Sequence, residues 1–158
     1  MHSINKKRTL TGLVAGLALA FGASMAHAQS QEGTNGGLGI HYGVGDHYQR
    51  VTLQYETPSI WTVNFGGNWG RLDLTPEFGV SYWWAQGDRS PDHVWQANAI
   101  PMFRWWTSDR FFLEAGVGAT VFSHTTFADK TISTAFQFGD HIGAGFLLND
   151  NSRIGVRY

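Results

Sequence analysis

Ser123 and His124 are the only adjacent serine and histidine after residue 28. Such a pair can supply the nucleophile and general base of an ester hydrolase, with an acid such as Asp129 to orient the histidine. No Gly-x-Ser-x-Gly pattern, which marks a strained nucleophile turn, surrounds this serine. We therefore expect residues 123–133 to form a solvated loop rather than a catalytic site.

An Asp-His dipeptide occurs three times, beginning at Asp46, Asp92 and Asp140. Adjacent residues of a strand point to opposite faces, so such a pair makes a poor catalytic dyad, and two of the three fall in predicted turns. The histidines after residue 28 form no metal-binding motif; they are His41, His47, His93, His124 and His141. The chain has no cysteine, which excludes thiolate chemistry. The sequence therefore predicts neither a metal site nor a cofactor.

Apolar and polar residues alternate with period two along most of the chain, which predicts β-strands. The predicted strands are Gly37 to Gly45, Arg50 to Glu56, Arg71 to Trp84, Val94 to Trp106, Phe111 to Val121, Phe136 to Leu148, and the start of a seventh in Ser152 to Tyr158. Asp140 interrupts an otherwise apolar face of the sixth. In the fifth, we expect Val117 to face outward with Leu113 and Val121, and Glu114 and Thr120 to face inward.

Two glycine patterns, Gly116-Val117-Gly118 and Gly143-Ala144-Gly145, lie inside predicted strands. A phosphate-binding glycine motif would need a strand followed by a helix, and no such context is present here. We interpret these glycines as places where neighbouring strands or bulky side chains approach closely.

Residues 1–28 resemble a cleavable signal peptide. Lys6, Lys7 and Arg8 precede a twelve-residue apolar stretch, Leu10 to Phe21, and Ala26-His27-Ala28 supplies a small-x-small cleavage site. A membrane-spanning helix would need about 20 apolar residues. We therefore expect export and cleavage before Gln29, which leaves residues 29–158 as one domain.

The composition of residues 29–158 restricts the class of protein. Without Lys6, Lys7 and Arg8 the 11 basic residues fall to 8, against 12 acidic ones, so the net charge is −4 and nucleic acid is an unlikely partner. The chain is 15% aromatic and contains 20 glycines but is only 15% charged, which suits strands. No run after residue 28 approaches 18 apolar residues, so any membrane crossing must use strands.

The turns and aromatic residues indicate an outer-membrane barrel. After a first short turn at Asp46-His47, the connections at 87–92 and 123–133 are long, whereas those at 107–109 and 149–151 are tight, as in barrels with long outer loops and short periplasmic turns. Aromatic residues gather at both ends of one hairpin, which predicts two girdles: Trp83, Trp84 and Trp95 at the outer end, and Trp105, Trp106, Phe111 and Phe112 at the periplasmic end.

Three segments of the second half resemble the lipid A 3-O-deacylases: Phe112 to Ala119, Phe136 to Gly145 and Arg153 to Tyr158. Gly70-Arg71-Leu72 and the stretch from Tyr82 to Asp88 are similar too. The resemblance implies an eight-stranded, antiparallel up-and-down outer-membrane β-barrel that hydrolyses the ester holding the 3-position acyl chain of lipid A. Its implied partners are lipid A, or lipopolysaccharide, and the barrel-assembly machinery. The sequence does not indicate an oligomeric state.

In that family a serine, a histidine and an acid act as a triad, and the serine and histidine lie in a His-x-Ser-Asn motif directly after the Gly-x-Arg strand. Here Gly155-Val156-Arg157 is followed by Tyr158, where the sequence stops. No residue of this chain matches the motif, so we assign no catalytic residue and expect the family's catalytic groups to lie beyond Tyr158. About six strands and the start of a seventh would be an incomplete barrel, because bacterial single-chain barrels have an even strand number.

Several alternatives stay open at this point. Ile154, Val156 and Tyr158 also fit a terminal assembly signal, in which case Tyr158 would be a true end. The chain could be a shortened, inactive deacylase. It could instead be a non-catalytic outer-membrane barrel with a structural or adhesive role, or a soluble, lipocalin-like binder.

Overall fold

The computed structural model describes residues 34–150 and 152–158, together with the backbone of Gly16–Ala18. The strands are β1 Gly16–Ala18, β2 Gly37–Gly45, β3 Tyr48–Glu56, β4 Trp61–Asn64, β5 Arg71–Ala85, β6 His93–Trp106, β7 Phe111–Phe122, β8 Thr126–Phe127, β9 Lys130–Thr131, β10 Phe136–Asn149 and β11 Ser152–Arg157. No helix among the described residues is long and apolar enough to cross a membrane. The expected signal peptide lies outside the described residues, apart from the backbone of β1.

Nine of these strands form one antiparallel sheet, in the order β1-β11-β10-β7-β6-β5-β3-β2, and β4 also pairs with β5. Strands that are close in sequence pair with each other, which is the up-and-down arrangement. The sheet curls into part of a barrel, because Arg153 of β11 reaches Glu56 of β3 across the enclosed space. The all-β antiparallel barrel architecture is therefore confirmed, with six long strands and a shorter β11 as the seventh.

Polar side chains line the inside of the curled sheet, and apolar side chains cover its outside. On β7, Val117 is 56% exposed while Glu114 is only 8% exposed. Leu113 and Val121 lie outward with Val117, and Thr120 is buried with Glu114, as predicted. A soluble barrel would place its apolar face inside, so this inverted arrangement is typical of a barrel whose outer wall meets lipid.

β3 and β4 form one strand that is broken by a bulge. Glu56 pairs with Glu77, and Trp61 pairs with Leu74, so residues 57–60 lie opposite only two residues of β5. Pro58, which has no N–H to donate, lies in the bulge. The sequence predicted the end of the strand at Glu56 but not its continuation as β4. A turn at 66–68 follows β4 and is held by the bond from the Phe65 amide to the Gly70 carbonyl at 2.9 Å.

The expected aromatic girdles are only partly correct. Trp106 and Phe112 are buried inside the barrel, and Trp83 also faces inward, where its indole Nε1 donates to Gln96 Oε1 at 2.6 Å. Trp95 and Phe111 do lie on the outer surface. The reason is the period-two geometry: adjacent aromatic residues on a strand cannot share a face, so about half of each group lies at an end of the lumen instead.

The long outer connection is more ordered than a solvated loop. β8 and β9 form a small hairpin whose two turn residues, Ala128 and Asp129, have positive φ of 49° and 62°. The ring of Phe127 lies 6.1 Å from that of Tyr48 and 6.3 Å from that of Trp83. The hairpin therefore packs over the outer end of the barrel.

The glycine interpretation is confirmed at two positions. A Cβ added to Gly116 would lie 2.7 Å from the carbonyl oxygen of Pro101, and one added to Gly143 would lie 2.6 Å from that of Val156. Both glycines therefore let neighbouring strands approach at places that no larger residue would fit.

Candidate functional site

A network of buried ion pairs fills the middle of the lumen, with Arg104 of β6 at its centre. Arg104 donates from both terminal nitrogens to Glu56, at 3.0 and 2.9 Å. Its Nη2 also donates to Glu77 Oε1 at 3.2 Å and to Glu114 Oε2 at 3.0 Å. The three carboxylates come from β3, β5 and β7. One guanidinium therefore connects most of the barrel wall.

β11 contributes two further arginines to the same network. Arg157 donates to Glu77 Oε2 and to Glu114 Oε1, both at 2.8 Å, and Arg153 binds Glu56. Three glutamates are thus balanced by three arginines. Because every one of these carboxylates is held by guanidinium groups, none of them is placed to act as a general base, and the network is a structural filling of the lumen.

A second polar cluster surrounds Asp73 at the end of the barrel opposite the β8–β9 hairpin, and the side chain of Asp73 is fully buried. Its Oδ1 accepts from Thr62 Oγ1 and Arg71 Nε, both at 3.0 Å, and its Oδ2 accepts from Thr34 Oγ1 and Trp106 Nε1, both at 2.9 Å. Thr34 also donates its backbone amide to Ser59 Oγ at 2.7 Å, at the bulge. The bulge therefore serves to dock residue 34 against the floor of the lumen.

A cleft of about 290 Å³ opens above the network, toward the outer end. Its lining includes Arg50, Trp83, Thr120, His141 and Arg157. The Arg50 guanidinium lies 5.0 Å from the centre of the Trp83 ring, an attractive cation–π distance. Among the described residues, Thr120 Oγ1 is buried without a hydrogen-bond partner. Thr120 Oγ1 and His141 Nε2 both border the space beside Gly139, but no hydrogen bond joins them.

The residues that could have formed a hydrolase triad are not assembled. Ser123 Oγ lies 3.0 Å from His124 Nδ1, and both side chains are exposed. Asp129 is engaged elsewhere: its Oδ1 accepts from the Ser90 amide at 3.1 Å, and its Oδ2 lies 3.6 Å from Arg89 Nη1. No acid orients His124 among the described residues. In the described part of the chain, no three His, Asp or Glu side chains converge on a possible metal site either.

The outer loops are joined to one another by polar contacts. Lys130 Nζ donates to Asp46 Oδ2 at 3.0 Å, and this hydrogen bond holds the pKa of the exposed Asp46 carboxyl below its usual value. The Gln86 amide donates to the His47 carbonyl at 2.8 Å, and the Ala128 amide to the Pro91 carbonyl at 3.0 Å. The three outer connections therefore form one ordered cap.

Sequence reasoning assigned no catalytic residue, and that assignment stays a prediction. It also missed the ion-pair network, although Glu56, Glu77, Arg104 and Glu114 all stood on predicted polar faces. The network could have been anticipated because charged residues recur on the polar face of several strands, and a polar lumen accommodates such charges.

The chain is similar in sequence to known proteins over most or all of its length. The model of the family described as lipid A 3-O-deacylase (PagL) matches residues 47–158. The lipid A deacylase PagL of Bordetella bronchiseptica is 66% identical over 158 residues, which is 100% of this chain and 85% of that protein. The lipid A deacylase PagL of Pseudomonas aeruginosa is 26% identical over 136 residues, covering 85% of this chain and 73% of that protein. No solved structure matches with significance. The chain therefore belongs to the lipid A 3-O-deacylase family.

Proposed function

We propose that this chain forms the barrel of an outer-membrane lipid A 3-O-deacylase, a carboxylic ester hydrolase that removes the acyl chain esterified at the 3-position of lipid A. The proposal rests on family membership together with a barrel whose polar side chains face the lumen and whose apolar side chains face outward. The apolar outer wall suits lipid, and the substrate of this reaction is itself a lipid of that membrane.

The remaining features agree with that location. A signal peptide over residues 1–28 would deliver the chain across the inner membrane, and residues 29–158 would then insert through the barrel-assembly machinery. In this orientation the cap formed by the outer loops faces outward, and the Asp73 cluster faces the periplasm. The lumen is filled by paired charges, so the substrate approaches the outer wall rather than passing through the lumen.

The catalytic groups are assigned to a His-x-Ser-Asn segment, which residues 1–158 do not contain. A serine nucleophile must lie within about 3 Å of its base, and a third group must orient that base. The paired lumen carboxylates and the exposed Ser123 and His124 do not meet these conditions. The described residues therefore supply the scaffold that positions such a segment in the membrane.

The test is to compare two forms expressed into outer membranes: the 158-residue chain, and the same chain extended by a C-terminal segment that carries a His-x-Ser-Asn motif and a downstream acid. Mass spectrometry of lipid A follows loss of the 3-linked acyl chain. We expect loss with the extended form, and no loss when the serine of its His-x-Ser-Asn motif is replaced by alanine. An extended form that inserts correctly but leaves lipid A intact would favour a non-catalytic barrel.

A further inference from the structure

Arg50 of β3 points into the lumen without an acid partner. Four other arginines line the inner face, and each forms an ion pair with a described carboxylate: Arg71, Arg104, Arg153 and Arg157. No ion pair or hydrogen bond joins the Arg50 guanidinium to any described residue. The described part of the lumen therefore contains a guanidinium whose N–H donors are unused.

The neighbours of Arg50 hold its side chain in place. Its guanidinium carbon lies 5.0 Å from the centre of the Trp83 ring. On the other side lies Gly43 of β2, where an added Cβ would be 2.8 Å from Arg50 Nε. Trp83 is itself fixed, because its Nε1 donates to Gln96 Oε1 at 2.6 Å and its ring lies 6.3 Å from that of Phe127. The free guanidinium is therefore positioned before any ligand arrives.

Other hydrogen-bond donors line the same cleft of about 290 Å³, which we call the outer cleft. Gln96 is buried, and because its Oε1 accepts from Trp83, its amide nitrogen keeps two N–H donors. Thr120 Oγ1 is buried without a partner among the described residues. The point where a Cβ on Gly139 would stand is 2.8 Å from Thr120 Oγ1 and 3.4 Å from His141 Nε2. Buried hydroxyls are normally hydrogen-bonded, so the outer cleft lacks a group at this place.

The charges around the outer cleft favour an anion as that group. Arg157 also lines it, but its guanidinium already binds Glu77 and Glu114. Asp140 borders the cleft as well, yet its side chain is exposed and forms no ion pair with Arg50. The inner part of the cleft therefore has a positive charge that no described carboxylate neutralises.

The arrangement of the donors suits a phosphate group. A guanidinium matches two phosphate oxygens at once. The remaining donors come from other strands: Gln96 from β6, Thr120 from β7 and His141 from β10. Donors that approach from several walls match the three or more oxygens of a tetrahedral phosphate better than the two of a carboxylate.

We infer that the outer cleft binds a phosphate group, with Arg50 as its cationic partner and Gln96, Thr120 and His141 as further hydrogen-bond donors. The phosphate is either free or carried as a monoester by a lipid. Binding is non-covalent, and the site is separate from Ser123 and His124. The inference goes beyond the proposed deacylation and does not depend on it.

The test measures binding to the 158-residue chain folded in maltoside micelles, with circular dichroism to verify the fold of each variant. Two probes are titrated separately: inorganic phosphate and phosphatidic acid, a lipid with a phosphate monoester headgroup. Phosphorus NMR follows both probes and gives a dissociation constant for each. Saturable binding of inorganic phosphate would identify a free anion as a sufficient ligand. Tighter binding of phosphatidic acid, lost in Arg50→Met, would assign the cleft to a lipid headgroup.

Five variants separate charge from hydrogen bonding. Arg50→Met keeps an apolar stem against Trp83 and should weaken binding roughly 10- to 100-fold, whereas Arg50→Lys should recover part of the affinity. Thr120→Val removes only the hydroxyl and should weaken binding about fivefold. Asp140→Asn should tighten binding, because it removes a repelling carboxylate. Arg110→Met, in an exposed turn, is the matched control for loss of one positive charge and should stay within about twofold of the parent.

Three results would overturn the inference: no saturable binding of either probe, equal effects of Arg50→Met and Arg110→Met, or a parent chain that does not fold in micelles, since the site exists only in the curled sheet. If Arg50→Met alone fails to fold, Thr120→Val and Asp140→Asn decide the matter. Opposite shifts of their dissociation constants would support the phosphate site, and unchanged constants would refute it. Deacylation is not measured here, so a failure of the proposed function would leave these results standing.

Discussion

Arg153 of β11 donates from Nη1 to Oε1 of Glu56 on β3 at 2.9 Å, across 97 residues of sequence. Glu56 is already fixed by two bonds from Arg104. The arginine of the last strand thus binds a carboxylate that is held in place on the opposite wall, and it does so only when β11 has the correct register. The pair therefore helps to select one curled arrangement of the sheet.

Arg104→Met should lower the free energy of unfolding by about 3–5 kcal/mol, because it leaves three buried carboxylates with fewer cations among them. Urea unfolding in detergent micelles, followed by tryptophan fluorescence, measures this change. Arg110→Met is the matched control: Arg110 lies exposed in a turn, and its replacement should change stability by about 0.5 kcal/mol or less. Equal effects of the two substitutions would contradict the structural role of the network.

Arg153→Met should cost less than Arg104→Met, about 1.5–3 kcal/mol, the range for hydrogen bonds to charged groups. The Arg153 side chain is 24% exposed, whereas that of Arg104 is fully buried. Glu56 also keeps Arg104 when Arg153 is removed. The same urea assay checks the order of the two variants, and a larger loss for Arg153→Met would show that strand closure rather than the central cluster dominates stability.

Val117→Arg should destabilise the barrel in lipid by about 2–4 kcal/mol if Val117 lies near the bilayer midplane. The outward position of Val117 places the new charge in hydrocarbon. Val117→Phe, which keeps the position apolar, should be tolerated. Folding into phospholipid vesicles, monitored by the shift in migration of unheated samples on electrophoresis, distinguishes them. Equal folding of both variants would mean that this face does not meet lipid.

The mature protein should begin at Gln29, since Ala26-His27-Ala28 is the expected cleavage site. Intact mass measurement of protein extracted from outer membranes gives the result directly. Replacing Ala28 by a bulky residue should cause the precursor to accumulate. Outer-membrane protein that retains residues 1–28 would refute cleavage.

The 158-residue chain alone should release no 3-linked acyl chain, and Ser123→Ala in the extended chain should leave the rate of release unchanged. Ser123 and His124 are exposed and lack an acid partner among the described residues, so they have no oriented base. Mass spectrometry of lipid A measures both results. Release by the 158-residue chain that disappears in Ser123→Ala would move the active site into the outer loop.

Period-two alternation predicted the strands and their faces well, because only one choice of face puts Val117 and its neighbours in lipid and Glu114 in the lumen. It also located Asp140 as a charged interruption of the apolar face of β10. These are local properties, and each can be read from a few consecutive residues.

Other features depend on contacts between distant residues and could not be read in this way. The pairing of Glu56 with Arg104 and Arg153 depends on how far the sheet curls. Whether Trp83 and Trp106 face the lumen or the outside depends on which alternate positions of their strands point inward. Adjacent aromatic residues hide that alternation. The continuation of β3 as β4 was hidden because the bulge at 57–60 interrupts the alternation.

The paired charges in the lumen also bear on what the barrel does to the membrane around it. Among the described residues, Arg104 and Asp73 have no exposed side-chain surface, so paired polar groups fill the lumen both at mid-barrel and at the end opposite the β8–β9 hairpin. A hydrated ion would have to separate buried ion pairs in order to pass. In a planar bilayer such a barrel would carry no measurable current. A cell could therefore hold many copies in its outer membrane without increasing its permeability to salts or small antibiotics.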